Sequence, residues 1–271
     1  MIVPFSSSAR ADTAPPSGVP ATVSADALPT VQTDGVVWAT AISGNTVYAT
    51  GKFTTATDID GQTYTRNNLL AFDITTGSLK QTFNHALSGG TGNCWSTAQQ
   101  GAQGCSVAVS PDGTKLIVGG SFTAVDGQAR ANSAAFDLTN NTLLPGFSGA
   151  GNTVMAVEMT NTQAFIGGAF SAVNGVSKLR LAAFTNSTGA LDTAWTANVT
   201  GVNSDGSSGA VAYVYGIAAA ENVGNLIVVG SFNRINGVKY NSQGAVKLAG
   251  GTNVTPWASQ SDSSFPIRMQ G

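Results

Sequence analysis

The chain has 271 residues, of which 42% are hydrophobic and 10% are charged, and its formal net charge at pH 7 is -2. The hydrophobic fraction excludes a chain that is disordered by composition, although the charged fraction lies well below the roughly one quarter that is usual in globular proteins. The slightly acidic balance provides no basic surface, so we expect no nucleic-acid partner.

Residues 1–35 predict the remnant of a signal peptide followed by a linker. Residues 9–11 read Ala-Arg-Ala, the small-x-small form of a signal-peptidase site, and a stretch rich in Pro, Ala, Thr and Ser follows. A simple polar tail is the alternative, because little apolar sequence precedes that site. No apolar run reaches the roughly 18 residues that a membrane span requires. We therefore expect a secreted or cell-surface protein without membrane insertion.

From residue 36 to residue 271, the sequence predicts repeated copies of one β-unit. Each copy contains Gly-x-Phe followed by an Asp-Gly or Asn-Gly turn. The phenylalanines of the four copies are Phe53, Phe122, Phe170 and Phe232, and the turn glycines are Gly61, Gly127, Gly175 and Gly237. Such a unit stacks on its neighbours because it cannot bury its apolar faces alone. We expect each Phe to be buried between adjacent units and each Gly to supply the positive φ of a hairpin turn.

The second copy shows the predicted order of strands most clearly. Its strands are expected at residues 107–110, 115–120, 133–137 and 143–147. Turn residues separate them, among them Pro111-Asp112-Gly113, which combine the fixed φ of Pro with the positive φ that Gly tolerates. Four short strands joined by tight turns predict an antiparallel meander, and the other copies repeat this order.

These copies predict an all-β protein, namely a β-propeller made of four-stranded antiparallel blades. The expected blades cover about residues 36–104, 105–151, 152–212 and 213–262. A fifth copy is expected to begin at residues 265–267. We therefore expect an incomplete or open ring that further blades or domains of a longer chain extend. A two-sheet sandwich is the alternative, but it does not explain why the same turns recur in the same order.

Cys94 and Cys105 lie in an insertion of the first copy that is rich in Gly, Gln and Ser. Two cysteines close together on one loop predict a disulfide in an exported protein. A pair of free thiols is the alternative. A metal site is less favoured because two thiols alone are too few ligands.

The repeated pattern is Gly-Gly-x-Phe-x-x-(Val/Ile)-(Asn/Asp)-Gly, then Leu-Ala-x-Phe-(Asp/Asn), then Thr-Gly-x-Leu-Asp-x-x-(Phe/Trp), and residues 119–127 and 167–195 match it best. Over roughly residues 36–257, the chain resembles the delta-sixty repeat β-propeller family. That family is common in exported and surface-anchored bacterial proteins and is similar to the propeller of fungal cortical-marker ectodomains. The departures are a longer first turn, Thr185 in place of Asp, and a degenerate fourth copy. The resemblance implies a scaffold or binding role and transfers no catalytic residue.

Trp95, beside Cys94, is the best single candidate for a ligand contact. Insertions in repeat arrays often emerge on the binding face, and an exposed indole suits sugar rings or protein anchors. A buried Trp that packs within its loop is the alternative. Arg66, Arg130 and Arg180 each follow a turn and are tentative contacts for acidic ligands, with a solvated or stacking role as the alternative.

Asp58 and Asp60 lie just before Gly61, and this order is similar to the start of a calcium-binding loop, in which spaced acids precede a glycine. A third acid and the distal Glu of such a loop are missing. Asp58 and Asp60 are a weak calcium candidate, and an enlarged turn is the alternative. The only histidine, His85, is expected to be a loop residue rather than a general base. We therefore expect neither a catalytic residue nor a cofactor.

The sequence favours a non-enzymatic binding or scaffold module of an exported or cell-surface protein, which contacts protein or carbohydrate. A propeller-type secreted enzyme, such as a hydrolase, lyase or oxidoreductase, is the first alternative. Such enzymes place histidines and acids in the central funnel, and this chain has few of either. A purely structural spacer is the second alternative.

Overall fold

The computed structural model describes residues 30–95, 98–201 and 211–255. Over these ranges the protein is all-β, and its one helical segment there is a 3₁₀ turn at Glu221–Val223. No helix in the described part of the chain is long and apolar enough to cross a membrane. The predicted signal-peptidase site and the predicted start of a fifth copy lie outside the described residues.

The strands fall into four repeats, taken here in chain order. The first contains β1 (Gln32–Thr33), β2 (Val36–Ser43), β3 (Thr46–Lys52), β4 (Thr55–Thr57), β5 (Thr63–Thr65) and β6 (Leu69–Asp73). The second contains β7 (Leu87–Ser88), β8 (Gln103–Val109), β9 (Lys115–Ser121), β10 (Ala124–Val125), β11 (Gln128–Ala129), β12 (Ser133–Asp137) and β13 (Thr142–Leu143). The third contains β14 (Val154–Met159), β15 (Gln163–Gly168), β16 (Ala172–Val173), β17 (Val176–Ser177) and β18 (Leu181–Thr185). The fourth contains β19 (Val199–Thr200), β20 (Tyr213–Ala220), β21 (Asn225–Ser231), β22 (Arg234–Ile235), β23 (Val238–Lys239) and β24 (Gln243–Lys247).

Each repeat has one main antiparallel sheet. The strand orders are β2-β3-β6, β8-β9-β12-β13, β14-β15-β18 and β20-β21-β24. The predicted fourth strand is therefore a strand only in the second repeat. In the other repeats it is reduced to a single bridge, at Leu79, Leu191 or Asn253. One reason is visible in the first repeat, where the Lys80 N–H still bonds to Ala71 O but Phe83 N–H already turns back to Lys80 O.

Each repeat also has a small sheet built on a hairpin, and this sheet joins neighbouring repeats. β7 follows the main sheet of the first repeat but pairs with β10 of the second, and β19 pairs in the same way with β22 of the fourth. β1 occupies the equivalent place on β4 of the first repeat. These exchanged strands could not be predicted from the sequence, because segments of two residues carry no periodic pattern of their own.

The predicted hairpin turns are confirmed where the loop is short. Asp126 and Gly127 have φ of 50° and 75°, and the other Asn-Gly turns have the same signs. Positive φ at both central positions is the type I′ turn that suits a two-residue hairpin. In the first repeat, the pair Thr57 and Thr63 brackets a longer loop, so the predicted enlarged turn is also confirmed.

The first strand of every main sheet carries a bulge at the same place. The extra residues are Trp38, Cys105, Met155 and Tyr215. A bulge bends its strand and re-aims the side chain of the extra residue. The first strands touch in the order β2, β8, β14 and β20. The four bulges therefore lie on one side of the array, here called the bulge side, to which every repeat contributes.

Most of the core lies between adjacent repeats, and Phe122, Phe170 and Phe232 of the repeat motif belong to it, whereas Phe53 packs in a cluster formed by the first repeat alone. Phe53, Phe122, Phe170 and Phe232 are at most 6% exposed, so their predicted burial is confirmed, and the predicted position between repeats is confirmed for the last three. Three of the four hydrophobic clusters combine residues of two successive repeats. Burial of such a side chain contributes about 1.5–3 kcal/mol, so each repeat depends on its neighbour for stability.

A candidate binding site at the disulfide loop

The predicted disulfide is confirmed, since the Sγ atoms of Cys94 and Cys105 lie 2.04 Å apart. Cys105 is the bulge residue of β8, and Cys94 belongs to the segment that precedes this strand, residues 89–102, here called the disulfide loop. Both cysteines are buried. The disulfide bond therefore fixes the loop to the bulge side of the array.

The disulfide loop contacts the first and second repeats through polar groups. The Lys52 ammonium donates a hydrogen bond to Gln100 O. The Gly92 N–H donates to Ser121 Oγ at 2.9 Å. Gly92 also lies so close to the third repeat that a Cβ there would stand 2.7 Å from Thr153 Oγ1.

The loop reaches the fourth repeat through Trp95. The centroid of its ring lies 5.9 Å from that of Tyr215, and Tyr215 stacks on Tyr213 at 5.9 Å with an angle of 14° between the ring planes. All three side chains are half-buried. Aromatic pairs of this kind contribute about 0.5–1.5 kcal/mol beyond their buried area. Trp95 is thus neither fully exposed nor packed only within its own loop, and it forms an aromatic cluster with Tyr213 and Tyr215.

A cavity of 440 Å³ lies beside the same loop, between Gln99, Ala102 and the start of β2. Asp34 and Lys52 contribute its charged groups. The hydrogen bond from Thr54 Oγ1 is the largest of the effects that lower the pKa of Asp34 to about 2, so this carboxylate is ionised at neutral pH.

The structure places Arg66 and Arg130 at equivalent positions, but Arg180 is not equivalent to them. The N–H groups of Arg66, Arg130, Lys178 and Tyr240 all bond to the residue after the motif Phe. The side chains at this position reach the segment that follows the third strand: Arg66 bonds to Gln81 and Arg130 to Leu144 O. Arg66 is 3% exposed. As ligand contacts, both arginines remain predictions.

Arg180 occupies a different position, at which the backbone is left-handed in every repeat. The residues at this position are Asn68, Asn132, Arg180 and Ser242, with φ between 62° and 69°. The Arg180 Nε donates to Ala212 O at 2.7 Å, which ties the third repeat to the start of the fourth. Arg180 therefore does not share the position of Arg66 and Arg130, and its side chain bonds to the residue that precedes Tyr213 of the aromatic cluster.

The carboxylates of the weak calcium candidate accept hydrogen bonds from the backbone. Asp58 Oδ1 accepts from the Ile59 and Leu79 N–H groups, and Asp60 Oδ1 accepts from Gln62 N–H. Among the described residues, no group of three or more His, Cys, Asp and Glu side chains could hold a metal ion.

His85 lies in a loop, as predicted, and both of its ring nitrogens face side-chain oxygens. Nδ1 is 2.6 Å from Asp126 Oδ2, and Nε2 is 3.1 Å from Asn141 Oδ1. Burial disfavours the ionised Asp126 carboxyl, but hydrogen bonds from His85 and the Ala86 N–H outweigh it and lower its pKa. The ring of Phe136 covers the imidazole at 4.4 Å. This arrangement joins the end of the first repeat to the hairpin of the second.

Sequence reasoning missed Tyr213 and Tyr215 as members of the candidate site. One signal was present, since a second insertion breaks the period of the sequence at about residues 198–213, so that Tyr213 and Tyr215 lie at its end just as Cys105 lies at the end of the first insertion. Insertions at the same point of two repeats emerge at the same end of an array. Which aromatic residues meet across that end depends on the path of the loop, which has no pattern in the sequence.

No protein-family model and no curated protein matches the chain. Among solved structures, the chain is similar to the computationally designed Ika4 protein, with a TM-score of 0.43 and 13% identity over 75% of this chain and 90% of that chain. Hydrazine synthase from Kuenenia stuttgartiensis gives a TM-score of 0.44 and 12% identity over 80% of this chain and 47% of that chain. The computationally designed Ika8 protein gives 0.42 and 10% identity, again over 80% and 47%. The chain thus spans about half the length of the last two structures.

Proposed function

We propose that the protein is a non-enzymatic β-propeller module of an exported or cell-surface protein and that it binds carbohydrate through the aromatic cluster. The propeller is supported by four repeats of one antiparallel sheet whose first strands lie side by side. The repeat motifs support membership of the delta-sixty family. The buried disulfide suits an oxidising compartment.

The observation that carries the binding role is the aromatic cluster, in which Tyr213 and Tyr215 stack and the ring of Trp95 contacts Tyr215 at a tilt. Three half-buried rings offer apolar faces next to polar edges, and such faces pack against the C–H groups of sugar rings. The charged groups beside the loop are Asp34 and Lys52, which are opposite in sign and line the adjacent cavity, and the Lys52 ammonium already bonds to Gln100 O. The site therefore fits a neutral saccharide better than a strongly charged ligand.

The surroundings of His85 support a role without catalysis. A general base must reach the proton that it removes, whereas both nitrogens of this imidazole are engaged by Asp126 and Asn141. The side chain is also buried. His85 accordingly serves to hold two repeats together.

A glycan array probed with the full chain tests the proposal. We expect binding to neutral glycans, and we expect Trp95→Ala and Tyr213→Ala each to weaken it at least tenfold, which corresponds to about 1.4 kcal/mol. Tyr64→Ala removes a half-buried aromatic residue of the first small sheet and serves as the matched control.

Circular dichroism must show that the variants remain folded. Binding that survives Trp95→Ala would refute the assignment of the site. If no glycan binds, a parallel array of extracellular proteins distinguishes a protein ligand from a structural spacer.

A further inference from the structure

The only histidine of the chain, His85, lies where the first repeat meets the second. The residue is 8% exposed, and its ring contacts those of Phe83 and Phe136. Both ring nitrogens face oxygen atoms of the second repeat, namely Asp126 Oδ2 and Asn141 Oδ1. A neutral imidazole has one donor and one acceptor nitrogen, so the chemistry of these two partners decides which protons the ring carries.

The partner of Nδ1 is a carboxylate that can only accept. Burial disfavours the ionised form of Asp126, but hydrogen bonds from His85 and the Ala86 N–H outweigh burial and lower the pKa of this carboxyl. Asp126 is therefore ionised at neutral pH. Its Oδ1 accepts from the Ala86 N–H at 2.8 Å, and its Oδ2 lies 2.6 Å from His85 Nδ1. An ionised carboxylate has no proton to donate, so Nδ1 carries one.

The partner of Nε2 is an amide oxygen whose orientation is fixed. The Asn141 Nδ2 donates a hydrogen bond to Thr82 O, and a backbone carbonyl can only accept. Turning the amide over would place Asn141 Oδ1 against Thr82 O and lose this bond. Asn141 Oδ1 consequently stays 3.1 Å from His85 Nε2, where it can only accept. A hydrogen bond at Nε2 therefore requires a second proton on the ring.

The place of Asp126 is taken by an uncharged residue in the later repeats. Its counterparts in the hairpin turns of the third and fourth repeats are Asn174 and Asn236. Asn236 Oδ1 accepts from the Asn198 N–H at 2.8 Å, just as Asp126 Oδ1 accepts from the Ala86 N–H at the same distance. An amide oxygen is thus sufficient for this backbone bond, and the negative charge of Asp126 has a further role.

That charge stands opposite a residue that differs from repeat to repeat. His85 directly precedes the residue whose carbonyl oxygen accepts from the N–H of the turn, and this place is taken by Ser148 before the third repeat and by Ala197 before the fourth. Neither serine nor alanine can take up a proton at ordinary pH. Among the junctions that the structure describes, the titratable pair at this place belongs to the first and second repeats.

Other charged groups on the elements around the ring have partners of their own. Asp137 of β12 accepts hydrogen bonds from N–H groups of the turn that follows it. Lys80 forms an ion pair with Asp73 at 3.0 Å. Arg130 donates to backbone carbonyl oxygens. The charge that faces the imidazole is therefore that of Asp126.

We propose that His85 is an imidazolium in the folded protein and that it forms, with Asp126 and Asn141, an acid-strengthened clasp between the first and second repeats. Both partners of the ring are satisfied only while both ring nitrogens are protonated. The ring of Phe136 lies 4.4 Å from the imidazole, within the roughly 6 Å over which an aromatic face attracts a cation.

The clasp couples this junction to pH in one direction. The folded protein holds the second proton of His85 more firmly than the unfolded chain does, because these contacts exist only in the folded state. The folded state therefore binds more protons in the range of about pH 5–8 in which histidine changes its charge, and stability falls as pH rises through that range. Acid holds the two repeats together, and the junction weakens towards alkaline pH.

Nitrogen NMR of the full chain with isotope-labelled histidine tests the proposal without any ligand, because a single histidine gives a single pair of ring signals. We expect the ring in the folded protein to titrate at least about one pH unit above the ring in the same chain unfolded in urea. Asp126→Asn, which supplies the amide of the later repeats, should remove most of this difference. Asp137→Asn is the matched control and should leave the difference unchanged, since an amide oxygen can still accept the bonds of that turn.

Urea denaturation measures the effect of the clasp on stability. The double variant His85→Ser with Asp126→Asn reproduces the pair of the third repeat and should fold. Between about pH 5 and pH 8, the unfolding equilibrium constant of the wild type should rise about tenfold more than that of the double variant, as one pH unit of difference requires. The proposal is overturned if the wild type and the double variant show the same pH dependence. It is also overturned, without any variant, if the ring titrates no higher in the folded wild type than in the unfolded chain.

Discussion

At the scale of single residues, Glu158 is a charged side chain in an unfavourable environment. It lies on β14 and is partly buried, and its carboxylate accepts a hydrogen bond from the Met159 N–H at 3.1 Å. Burial raises its pKa, and nearby Glu221 adds to the shift. The residue therefore opposes folding whenever it is ionised.

We expect Glu158→Gln to raise Tm at pH 7 and to leave it unchanged at pH 3. The folded pKa lies above the unfolded value, so the folded state binds more protons between the two values and stability falls as pH rises through that window. Below both values the carboxyl is neutral in either state. Thermal unfolding of both proteins from pH 3 to pH 7 is the measurement.

Glu221→Gln provides the control for this prediction, because it removes the neighbouring negative charge and leaves the burial of Glu158 unchanged. It should recover only part of the gain, since burial is the larger cause. A Glu158→Gln variant with the pH dependence of the wild type would contradict the argument.

At the scale of structural elements, the hairpin of the third repeat depends on Lys178. This side chain is 4% exposed, and its ammonium donates to the carbonyl oxygens of Asp192, Thr193 and Trp195. Burial lowers its pKa, and Asp192 opposes this shift. The lysine thereby fixes the segment that takes the place of a fourth strand.

Lys178→Met should lower the free energy of unfolding by about 1–3 kcal/mol, because buried carbonyl groups lose their donor. Lys178→Arg should lose less, since the first two repeats carry Arg at this position. Lys239→Met, on an exposed part of the equivalent hairpin, should change stability by less than about 0.5 kcal/mol. Urea denaturation measures all three, and equal losses for Lys178→Met and Lys239→Met would refute the role.

The elements that were predictable from sequence are those specified by local chemistry. The Asp-Gly and Asn-Gly turns require positive φ, and the motif phenylalanines recur at fixed places, so their positions follow from residue type. Arg180 follows Gly175 at the same spacing as Arg66 follows Gly61, but this spacing does not make the two residues equivalent in the structure, because the first turn is longer. Lys178 is the true equivalent of Arg66, and only the backbone hydrogen bonds show this.

The candidate site was predictable only where the local sequence specifies it. Trp95 and the disulfide could be found from composition and spacing, whereas Tyr213 and Tyr215 join them through a contact between residues more than a hundred positions apart. Contacts of such range depend on how the repeats pack. No local pattern in the chain encodes them.

At the scale of the whole molecule, the disulfide loop joins parts of the protein that are remote from one another. It contacts Lys52 of the first repeat, Ser121 of the second and Tyr215 of the fourth. Replacing both cysteines, in Cys94→Ser with Cys105→Ser, should lower the free energy of unfolding by about 2–3 kcal/mol, because the unfolded chain regains the entropy of an open loop.

Urea denaturation with and without a reducing agent checks this prediction. The wild-type protein should lose stability on reduction, and the double variant should be insensitive to the reducing agent. Undiminished wild-type stability, with two free thiols confirmed by titration, would show that the loop is held by its other contacts.

The strands exchanged between repeats have a consequence for biosynthesis. β7 follows the main sheet of the first repeat along the chain and completes the small sheet of the second by pairing with β10, and β19 follows the main sheet of the third repeat and pairs in the same way in the fourth. Since a nascent chain emerges from the ribosome with its N-terminus first, the segments that complete the small sheets of the second and fourth repeats, and the bridge from Ala150 to Val173 of the third, are made before the hairpins with which they pair. The array can thus fold repeat by repeat in the direction of synthesis, with a folded repeat already present for the next one to pack against.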